Sequence, residues 1–346
     1  LDMSCFLRTR KHFEKTENRE FMIENGKILV ETLVVCCYGK FNPIRGFTIR
    51  ELEIATNNFD ARNVIKDGYA YKFYKGFVED RTVSVMKFND ILNDGHEDCF
   101  NNIIFASKLS SHKNVLKLTG CCLETRIPVI VFESVKNRTL ADHIYQNQPH
   151  FEPLLLSQRL RIAVHIANAI AYLHIGFSRP ILHRNIRPSR IFLDEGYIAK
   201  LFDFSLSVSI PEGETCVKDK VTGTMGFLAP EYINTGDFNE KCDVFSFGML
   251  LLVLLTGQKI FDPSRGDEIG AGHYWLLHYV KKCIENNEFD EIVDPIIVSE
   301  GPRVGKEKQL QGFRELALMC VCESAEDRPT KVDVAKRLKQ IYQHLA

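Results

Sequence analysis

The side chains that could take part in chemistry are concentrated in two neighbouring polar segments. One contains Asn185, Arg187 and Arg190, and the other contains Asp203 and Ser205. Asp203 is a carboxylate that could bind a cation, whereas the carboxamide of Asn185 cannot take up a proton near neutral pH. Arg187 and Arg190 add positive charges, which oppose the binding of a metal ion. Asn185 therefore cannot act as a general base, and for Asp203 two interpretations stay open: weak metal binding, or a hydrogen-bonded structural Asp at a turn.

Two further residues could contact phosphate groups. Gly68 lies in a polar turn, and glycine lets backbone N–H groups approach phosphate oxygens closely. Lys66 and Tyr71 add side chains to the same volume, so an ordinary surface β-hairpin is the interpretation we favour for this turn. Lys87 could bind phosphate through its ammonium group, and the alternative for this residue is a plain solvent-facing lysine.

The eleven cysteines raise the alternatives of a disulfide scaffold and a zinc site. Several lie inside apolar runs, for example Cys121 and Cys122, which favours reduced and buried thiols. Cys320 and Cys322 are close enough in sequence to share a metal ion, but no second pair with ligand spacing accompanies them. We therefore predict neither a disulfide framework nor a metal site.

Composition excludes several classes of protein. Of the 346 residues, 45% are hydrophobic and 26% are charged, which is close to the average for globular proteins. The formal net charge of −1 provides no long-range attraction for nucleic acid. The longest apolar run, Val244–Leu255, is shorter than the roughly 20 residues that a transmembrane helix needs. We expect a folded protein with no nucleic acid partner and no transmembrane span.

Hydrophobic periodicity and cap signals predict the elements that would position these residues. Thr48 and Glu51 form a capping box at the start of a short helix that runs to Phe59. The next stretch has β-rich runs at residues 71–74, 82–88 and 128–132, around a helical stretch at residues 98–108. A long amphipathic helix then ends at Gly176, and the rest of the chain is mostly helical.

Five motifs stand in the order found in eukaryotic protein kinases. They are Leu182–Ile191, similar to the catalytic loop, Leu201–Ser205, similar to the magnesium segment, Ala229–Glu231, Asp243–Gly248 and Asp327–Pro329. From about Phe59 to its C-terminus, the chain therefore resembles the protein kinase domain. The resemblance implies an α+β, bilobal kinase-like fold with a small β-rich N-lobe that holds one helix (residues 47–135), a larger helical C-lobe (residues 136–346) and an N-terminal extension (residues 1–46).

The resemblance also implies catalytic positions, and most of them carry a changed residue. Phosphoryl transfer needs an Asp that accepts the substrate proton, and an Asn and an Asp that hold Mg²⁺. Asn185 stands at the first of these positions, Arg187 at that of a Lys, and Arg190 at that of the metal-binding Asn. Asp203 remains, but Ser205 replaces the glycine of its motif. We therefore predict a catalytically inactive protein with a kinase fold.

The ATP site of the family is also incomplete. Its strand lysine can be aligned in two registers, with either Met86 or Lys87 at the lysine position, and we favour Lys87. The partner acid is absent, because Asn102 or Ile103 stands where the family has a helix Glu. Of the three loop glycines only Gly68 remains. We expect no required cofactor, and weak ATP binding through Gly68 and Lys87 stays open.

Residues with structural roles in the family are retained. The resemblance pairs Glu231 with Arg328 in a buried ion pair, and breaking such a pair costs about 3–5 kcal/mol. Asp243 is predicted to cap the apolar helix that ends at Gly257. A scaffold that is kept while its chemistry is lost is typical of a binding protein.

A second resemblance lies in the N-terminal extension. Residues 25–33 and 38–47 are similar to the extension of a group of plant receptor-like cytoplasmic pseudokinases. The resemblance implies a cytoplasmic adaptor in innate immunity, which links a coiled-coil nucleotide-binding leucine-rich-repeat (NLR) receptor to a pathogen-modified receptor-like cytoplasmic kinase and reaches the inner face of the plasma membrane through its partners. The alternatives are a weak or atypical Ser/Thr kinase and an ATP-sensing regulator without turnover.

Two surfaces are predicted to bind these partners. A helix over residues 28–38 would be apolar on most of its circumference, so one face would pack on the small lobe and the opposite face would meet the receptor. Its expected contact residues are Ile28, Leu29, Leu33, Val34 and Val35. Burial of the whole segment is the alternative. The second surface is the loop 205–224, where Lys218, Lys220 and Thr222 are suited to anionic groups on a partner kinase. A loop without a role is the alternative there.

Overall fold

A computed structural model describes residues 3–37, 44–89, 95–135, 138–145, 152–265, 274–302 and 304–343, and in its first helix the side chains of residues 16–34. The chain divides into two compact units. The first contains Leu1–Lys136 and Phe202–Ser205, and the second contains Asn137–Leu201 and Leu206–Ala346. The N-terminal extension and the segment around Asp203 both belong to the first unit.

The first unit is a six-stranded sheet with helices packed around it. Its elements are α1 (Met3–Cys37), β1 (Arg45–Gly46), α2 (Ile49–Thr56), β2 (Val64–Asp67), β3 (Tyr71–Val78), β4 (Arg81–Phe88), α3 (Gly95–Leu109), β5 (Leu118–Cys122) and β6 (Val129–Glu133). The strand order is β1-β5-β6-β4-β3-β2, and β1 runs parallel to β5. Aromatic and β-branched residues form the central strands, so the predicted β-rich lobe is confirmed.

Helix α2 begins at the predicted capping box. The Thr48 side chain accepts a hydrogen bond from the Glu51 N–H at 3.2 Å, and the Glu51 carboxylate accepts one from the Thr48 N–H at 2.7 Å. Leu52 is buried in the core between this helix and the sheet. The helix stops at Thr56, earlier than predicted, because Asn57 adopts a left-handed backbone with φ of 54°.

Helix α1 packs on the first unit through one face. Leu29 and Leu33 are buried, one turn apart. The Asn25 side chain is also buried, and its Nδ2 donates to the carbonyl oxygens of Leu123 at 3.0 Å and Thr125 at 2.9 Å. A buried amide that satisfies two backbone acceptors fixes the position of the helix more specifically than apolar contacts alone would.

The second unit is mainly helical, as predicted for the larger lobe. Its elements are α4 (Leu140–Ile144), α5 (Leu156–Ile175), β7 (Ile181–Leu182), β8 (Ile191–Leu193), β9 (Ala199–Leu201), β10 (Val208–Ser209), β11 (Val217–Lys218), α6 (Pro230–Thr235), β12 (Asp237–Phe238), α7 (Glu240–Thr256), α8 (Leu276–Glu285), α9 (Pro295–Ser299), α10 (Lys306–Cys320) and α11 (Lys331–Gln343). Helix α5 ends at Gly176, where the sequence predicts its end.

Helix α7 is the buried apolar helix of this unit. Its N-cap is Asn239, whose side chain accepts a hydrogen bond from the Lys241 N–H at 2.9 Å. The prediction that Asp243 caps the helix is therefore wrong: Asp243 lies inside the first turn and its carboxylate faces another segment. The predicted end at Gly257 is confirmed by a left-handed φ of 67°.

Candidate functional site

A buried polar cluster surrounds the one retained metal-site carboxylate. Its members, from here on the Asp203 cluster, are Tyr71, Asn102, Asp203 and Ser205, and all are buried. The Tyr71 hydroxyl donates to Asp203 Oδ2 at 2.5 Å, and the Ser205 hydroxyl donates to Asp203 Oδ1 at 2.7 Å. The Ser205 N–H lies 3.2 Å from Oδ1 as well. Protein donors thus bind both oxygens of the carboxylate.

Helix α3 contributes the remaining contacts of this segment. Asn102 Oδ1 accepts a hydrogen bond from the Phe204 N–H at 2.8 Å, and its Nδ2 lies 3.5 Å from Asp203 Oδ1. The preceding Asn101 donates from Nδ2 to the Ser205 carbonyl at 2.9 Å. Of the two residues considered for the position of the helix Glu, the structure therefore brings Asn102 to Asp203. A carboxamide there can hold the segment but cannot form an ion pair.

The register of β4 determines which side chain faces the cluster. Met86 lies opposite Phe73 in the β3–β4 ladder, so the two side chains share one face of the sheet. The Phe73 ring contacts the ring of Phe202, with 5.5 Å between centroids, and Phe202 directly precedes Asp203. Met86 is completely buried on this face. A thioether, which provides no positive charge, thus occupies the lysine position.

Lys87 lies on the opposite face of the sheet. Its Nζ is 4.6 Å from the centroid of the Phe59 ring, a cation–π contact of the kind that contributes about 0.5–1 kcal/mol at exposed sites. The preference for Lys87 as the nucleotide-binding lysine is therefore wrong. Because strand side chains alternate, a shift of one residue moved the predicted lysine to the wrong face.

Gly68 lies in the turn of the β2–β3 hairpin, which agrees with the favoured interpretation of an ordinary hairpin. Its N–H donates to the Tyr71 carbonyl at 3.1 Å, and a Cβ added at Gly68 would lie 3.0 Å from the same oxygen. The glycine thus permits a tight turn, and it also fixes the start of the strand from which Tyr71 reaches Asp203.

The Asp203 cluster does not fit a magnesium ion. Mg²⁺ takes oxygen ligands in a nearly ideal octahedron, whereas the oxygens of Asp203 are engaged by Tyr71 and Ser205. In the part of the chain that the structure describes, no three His, Cys, Asp or Glu side chains stand close enough to hold a metal ion. We therefore derive no step of phosphoryl transfer through this cluster.

The segment that resembles a catalytic loop has become part of the scaffold of the second unit. Asn185 is buried, and its Oδ1 accepts a hydrogen bond from the Thr224 hydroxyl at 3.0 Å. Arg187 is the N-cap of a 3₁₀ turn, Pro188–Arg190, and Arg190 is its last residue; both are half-buried. The carboxamide that replaces the general base thus holds another segment of the same unit.

Asp243 holds this loop through backbone hydrogen bonds. Its carboxylate accepts hydrogen bonds from the N–H groups of His183 at 2.8 Å and Arg184 at 2.9 Å, and it contacts His174 Nε2 at 3.0 Å. Burial acts to raise the pKa of Asp243, but the hydrogen bonds and the His174 ring outweigh it and hold the pKa below its usual value. Asp243 is a structural residue, as predicted, although by a different contact.

The predicted ion pair between Glu231 and Arg328 is confirmed. Arg328 Nη1 lies 2.6 Å from Glu231 Oε1, and Nη2 lies 2.8 Å from Oε2. The guanidinium is fully buried and the carboxylate half-buried. A bidentate pair of this kind stabilises the end of the loop that precedes α6.

The residues predicted to bind partners divide between exposed and buried positions. On α1, Leu29 and Leu33 belong to the packed face, so they are unavailable to a partner, whereas Val34 is 55% exposed and Ile28 is half-buried. The Val35 side chain lies outside the described residues. The reason for the difference is helical periodicity, which places Leu29 and Leu33 on one face and Val34 on another.

In the loop 205–224, Lys218 and Lys220 are exposed. The Thr222 hydroxyl is buried, so the prediction that it contacts a partner is wrong. Sequence reasoning missed two residues that the structure brings into the sites. In the sequence Tyr71 stands out only for its bulk, and Asp219 is a single acid between the two lysines. The one sequence signal for Asp219 is an acid flanked by two bases.

Comparisons with known proteins identify the family and several similar proteins. Residues 68–345 match the family model described as the protein kinase domain. Non-functional pseudokinase ZED1 of Arabidopsis thaliana is 38% identical, over 94% of this chain and 97% of that protein. Non-functional pseudokinase ZRK2 of the same plant is 36% identical, over 97% of this chain and 94% of that protein. The relatives thus include proteins that are named for a lack of kinase function.

Serine/threonine-protein kinase ZRK1 of Arabidopsis thaliana is 39% identical, over 96% of this chain and 95% of that protein. Similar proteins are therefore named both as active kinases and as pseudokinases, so activity has to be argued from the residues of the site. Among the described residues, the helices are all too short or too polar to cross a membrane.

Proposed function

Because the chain belongs to the protein kinase family, we propose a function that uses the kinase fold without its chemistry: a catalytically inactive adaptor in plant innate immunity. In this proposal it links a coiled-coil NLR receptor to a receptor-like cytoplasmic kinase that a pathogen has modified. It acts in the cytoplasm and reaches the inner face of the plasma membrane through these partners. The names of ZED1 and ZRK2 support the absence of activity.

One observation carries the proposal: the Asp203 carboxylate is bound by protein donors instead of standing open to a metal ion. Tyr71 and Ser205 approach it within 2.7 Å, and Asn102 completes the enclosure from α3. Displacing the Tyr71 hydroxyl to admit a cation would break a buried, charge-assisted hydrogen bond. The cluster stabilises the fold at the position where an active kinase would bind its cofactor.

Two exposed regions support an adaptor role. On α1, Ile23, Val30 and Val34 are each more than half exposed and lie on one side of the helix, which is an unusual number of apolar side chains for one solvent-facing stripe. In the second unit, Lys218 and Lys220 extend from one short segment. We assign the stripe to the receptor and the lysines to an anionic group on the partner kinase.

A nucleotide and activity assay tests the inactive state. We expect the purified protein to incorporate no ³²P from ATP into itself or a generic substrate. We expect its melting temperature to stay unchanged with ATP and Mg²⁺ or Mn²⁺, since a ligand at 100 times its Kd would add about 2.7 kcal/mol. Asp203→Ala is the matched control. Metal-dependent incorporation that disappears in this variant would establish the alternative of a weak kinase, which the name of ZRK1 keeps in view. A thermal shift without incorporation would establish an ATP-sensing regulator.

A reconstitution assay tests the adaptor role. The protein is co-expressed in leaf cells with a candidate coiled-coil NLR and with a receptor-like cytoplasmic kinase in modified and unmodified forms. We expect the NLR to co-precipitate the modified kinase only when this protein is present. Co-precipitation of the two partners in its absence would contradict the proposal.

A further inference from the structure

Arg184 is a buried cation in the second unit whose anion comes from the loop 205–224. Its side chain is 5% exposed, and Nη1 lies 2.9 Å from Asp219 Oδ2. Nη2 donates to the Tyr232 hydroxyl at 2.7 Å, and the guanidinium carbon lies 5.7 Å from the centroid of the Phe238 ring. Because a guanidinium stays charged at all relevant pH values, its burial requires a partner of opposite charge. Asp219 provides that charge.

The residues on both sides of Asp219 are held by contacts with β12, Gly236 and Tyr232. β11 pairs antiparallel with β12, and the Asp219 N–H donates to the Gly236 carbonyl at 3.1 Å. The Tyr232 hydroxyl donates to the Lys220 carbonyl at 2.9 Å and accepts from the Thr222 N–H at 2.9 Å. Residues 217–222, from here on the clamped segment, are thus fixed at several points around the ion pair, and this leaves Lys218 and Lys220 exposed.

We propose that the Arg184–Asp219 ion pair holds the clamped segment, and with it the surface that carries Lys218 and Lys220, in one conformation without any modification of the chain. Protein kinases commonly order this region by phosphorylation, which creates a new contact between a phosphate and an arginine. Here the sequence itself encodes the anion. The assignment of the lysines to a partner rests on the proposed function, whereas the ordering of the segment does not.

The environment of Thr222 supports an unmodified state. Its Oγ1 is buried and makes no hydrogen bond among the described residues. A modifying enzyme could reach this oxygen only after the clamped segment had opened, and a phosphate there would require solvation or a cation. Arg184 is already paired with Asp219, and the pKa of Asp219 is lowered, because its hydrogen bonds from Arg184 and the Lys220 N–H outweigh the effect of burial. The segment is therefore formed before a partner or an enzyme arrives.

Hydrogen exchange of the full chain tests the proposal. Phosphatase-treated protein is compared with the variant Asp219→Asn at the amides of Asp219 and Thr222, both of which donate hydrogen bonds in the structure. We expect slow exchange in the wild type and exchange at least about tenfold faster in the variant. Asp219→Glu, which keeps the charge, should restore much of the protection. Glu214→Gln is the matched control, because Glu214 is an exposed acid of the same loop that does not contact Arg184.

Two results would overturn the proposal: equal exchange in the wild type and Asp219→Asn, or protection of the wild type that appears only after phosphorylation. The partner contact is measured separately, as capture of a modified receptor-like cytoplasmic kinase by wild type and by Lys218→Glu/Lys220→Glu. Equal capture by both proteins would contradict the assignment of the lysines. The proposal about the ion pair would still be supported if Asp219→Asn exchanges faster than the wild type.

Discussion

At the position of Asp203, a carboxylate that could bind a cation instead accepts hydrogen bonds from its own protein. Tyr71 provides the shortest of these contacts, and the residue is buried beside the rings of Phe73 and Phe88. The sequence shows that Asp203 is retained. It does not show that a tyrosine hydroxyl reaches it, since the two residues are 132 positions apart. Retention of a catalytic residue type is therefore a weak indication of retained chemistry in this fold.

Tyr71→Phe should destabilise the protein while leaving its packing intact. The variant removes a hydrogen bond to an ionised group, and such bonds contribute about 1.5–3 kcal/mol. The expected result is a lower free energy of unfolding in urea, with Tyr69→Phe as the control because Tyr69 is 87% exposed. Equal stability of the two variants would show that the contact with Asp203 contributes nothing to the fold.

Lys331, by contrast, is a residue whose burial opposes its charge. It is buried at the start of α11, and its Nζ lies 3.2 Å above the centroid of the Phe247 ring. Among the described residues, this nitrogen has no hydrogen-bond partner. Burial lowers the pKa of Lys331 well below its usual value, and the nearby Cys320 and Asp243 offset this only in part.

The lowered pKa of Lys331 predicts that Lys331→Met stabilises the protein by an amount that depends on pH. Above the unfolded value of about 10.4, the amine is neutral in both states and the two proteins should differ least. As the pH falls below that value, the unfolded chain takes up a proton that the folded chain resists, so the wild type loses stability relative to the variant. We expect the variant to melt higher at pH 7, by an amount that shrinks toward about pH 10. Lys339→Met, at an exposed position of the same helix, is the control. A difference between variant and wild type that is independent of pH would refute the assignment.

At the scale of the elements, the end of α7 depends on Gly257 and on the side chain of Asp294 beside it. Gly257 has φ of 67°, and a Cβ at this position would lie 2.2 Å from Asp294 Oδ2. That carboxylate is itself buried in an ion pair with Arg159 at 2.7 Å. The helix end, the start of α9 and α5 thus meet at one point of the second unit.

Gly257→Ala should therefore lower the free energy of unfolding by more than the strain of a left-handed backbone alone. A left-handed conformation costs a residue with a Cβ about 1–2 kcal/mol, and the contact with Asp294 adds to it. Gly213→Ala isolates the first term, because Gly213 has φ of 83° and an added Cβ there would meet nothing within 4 Å. We expect the first variant to unfold at a clearly lower urea concentration than the second. Similar midpoints would mean that Asp294 moves aside at little cost.

Helix α1 has two faces, and they predict opposite results for neighbouring residues. Leu33→Glu places a charge in the packed face, which costs several kcal/mol, so the melting temperature should fall sharply. Val30→Glu/Val34→Glu changes only exposed positions and should leave the melting temperature near that of the wild type. If the exposed stripe is the receptor contact, this double variant should bind the NLR at least about 30-fold more weakly, equivalent to roughly 2 kcal/mol. Undiminished binding would move the receptor contact to another surface.

At the scale of the whole molecule, the residues that depart from the kinase motifs lie in both compact units. Met86 and Asn102 belong to the first unit, whereas Asn185 and Arg190 belong to the second. Met86, Asn102 and Asn185 each have a packing role or a hydrogen bond within their own unit, so the departures from the motifs are distributed instead of confined to one position.

Restoring part of the motif set should therefore not restore activity. We expect Asn185→Asp/Arg190→Asn to fold, because an aspartate at 185 can still accept the hydrogen bond from Thr224. It should transfer no phosphate, since catalytic groups that act as a unit are strongly non-additive. A ³²P assay beside an active kinase is the measurement. Turnover on the order of 1 s⁻¹ in the double variant would show that the first unit is competent as it stands.

The sequence alone determined the elements whose signals are local. The capping box at Thr48, the end of α5 at Gly176 and the end of α7 at Gly257 are each specified by a few adjacent residues, because caps and helix periodicity act within one or two turns. Ordered motifs also indicated the kinase-like fold and the pairing of Glu231 with Arg328. Local signals failed for Asp243, because Asn239, four residues earlier, forms the N-cap of α7.

Only the tertiary structure decided which side chains meet. A one-residue ambiguity in β4 left Met86 and Lys87 both compatible with the motif, and the favoured residue, Lys87, is wrong. Pairing with β3 places Met86 on the face of Phe73, whose ring contacts Phe202. Likewise, periodicity showed that α1 is apolar, but contact with the rest of the first unit selected its buried face. Contacts such as that of Tyr71 with Asp203 join residues far apart in the chain. A single sequence has no signal that tells which of its distant residues will meet. They form because burying several polar groups together satisfies their hydrogen bonds, which is a property of the assembled fold.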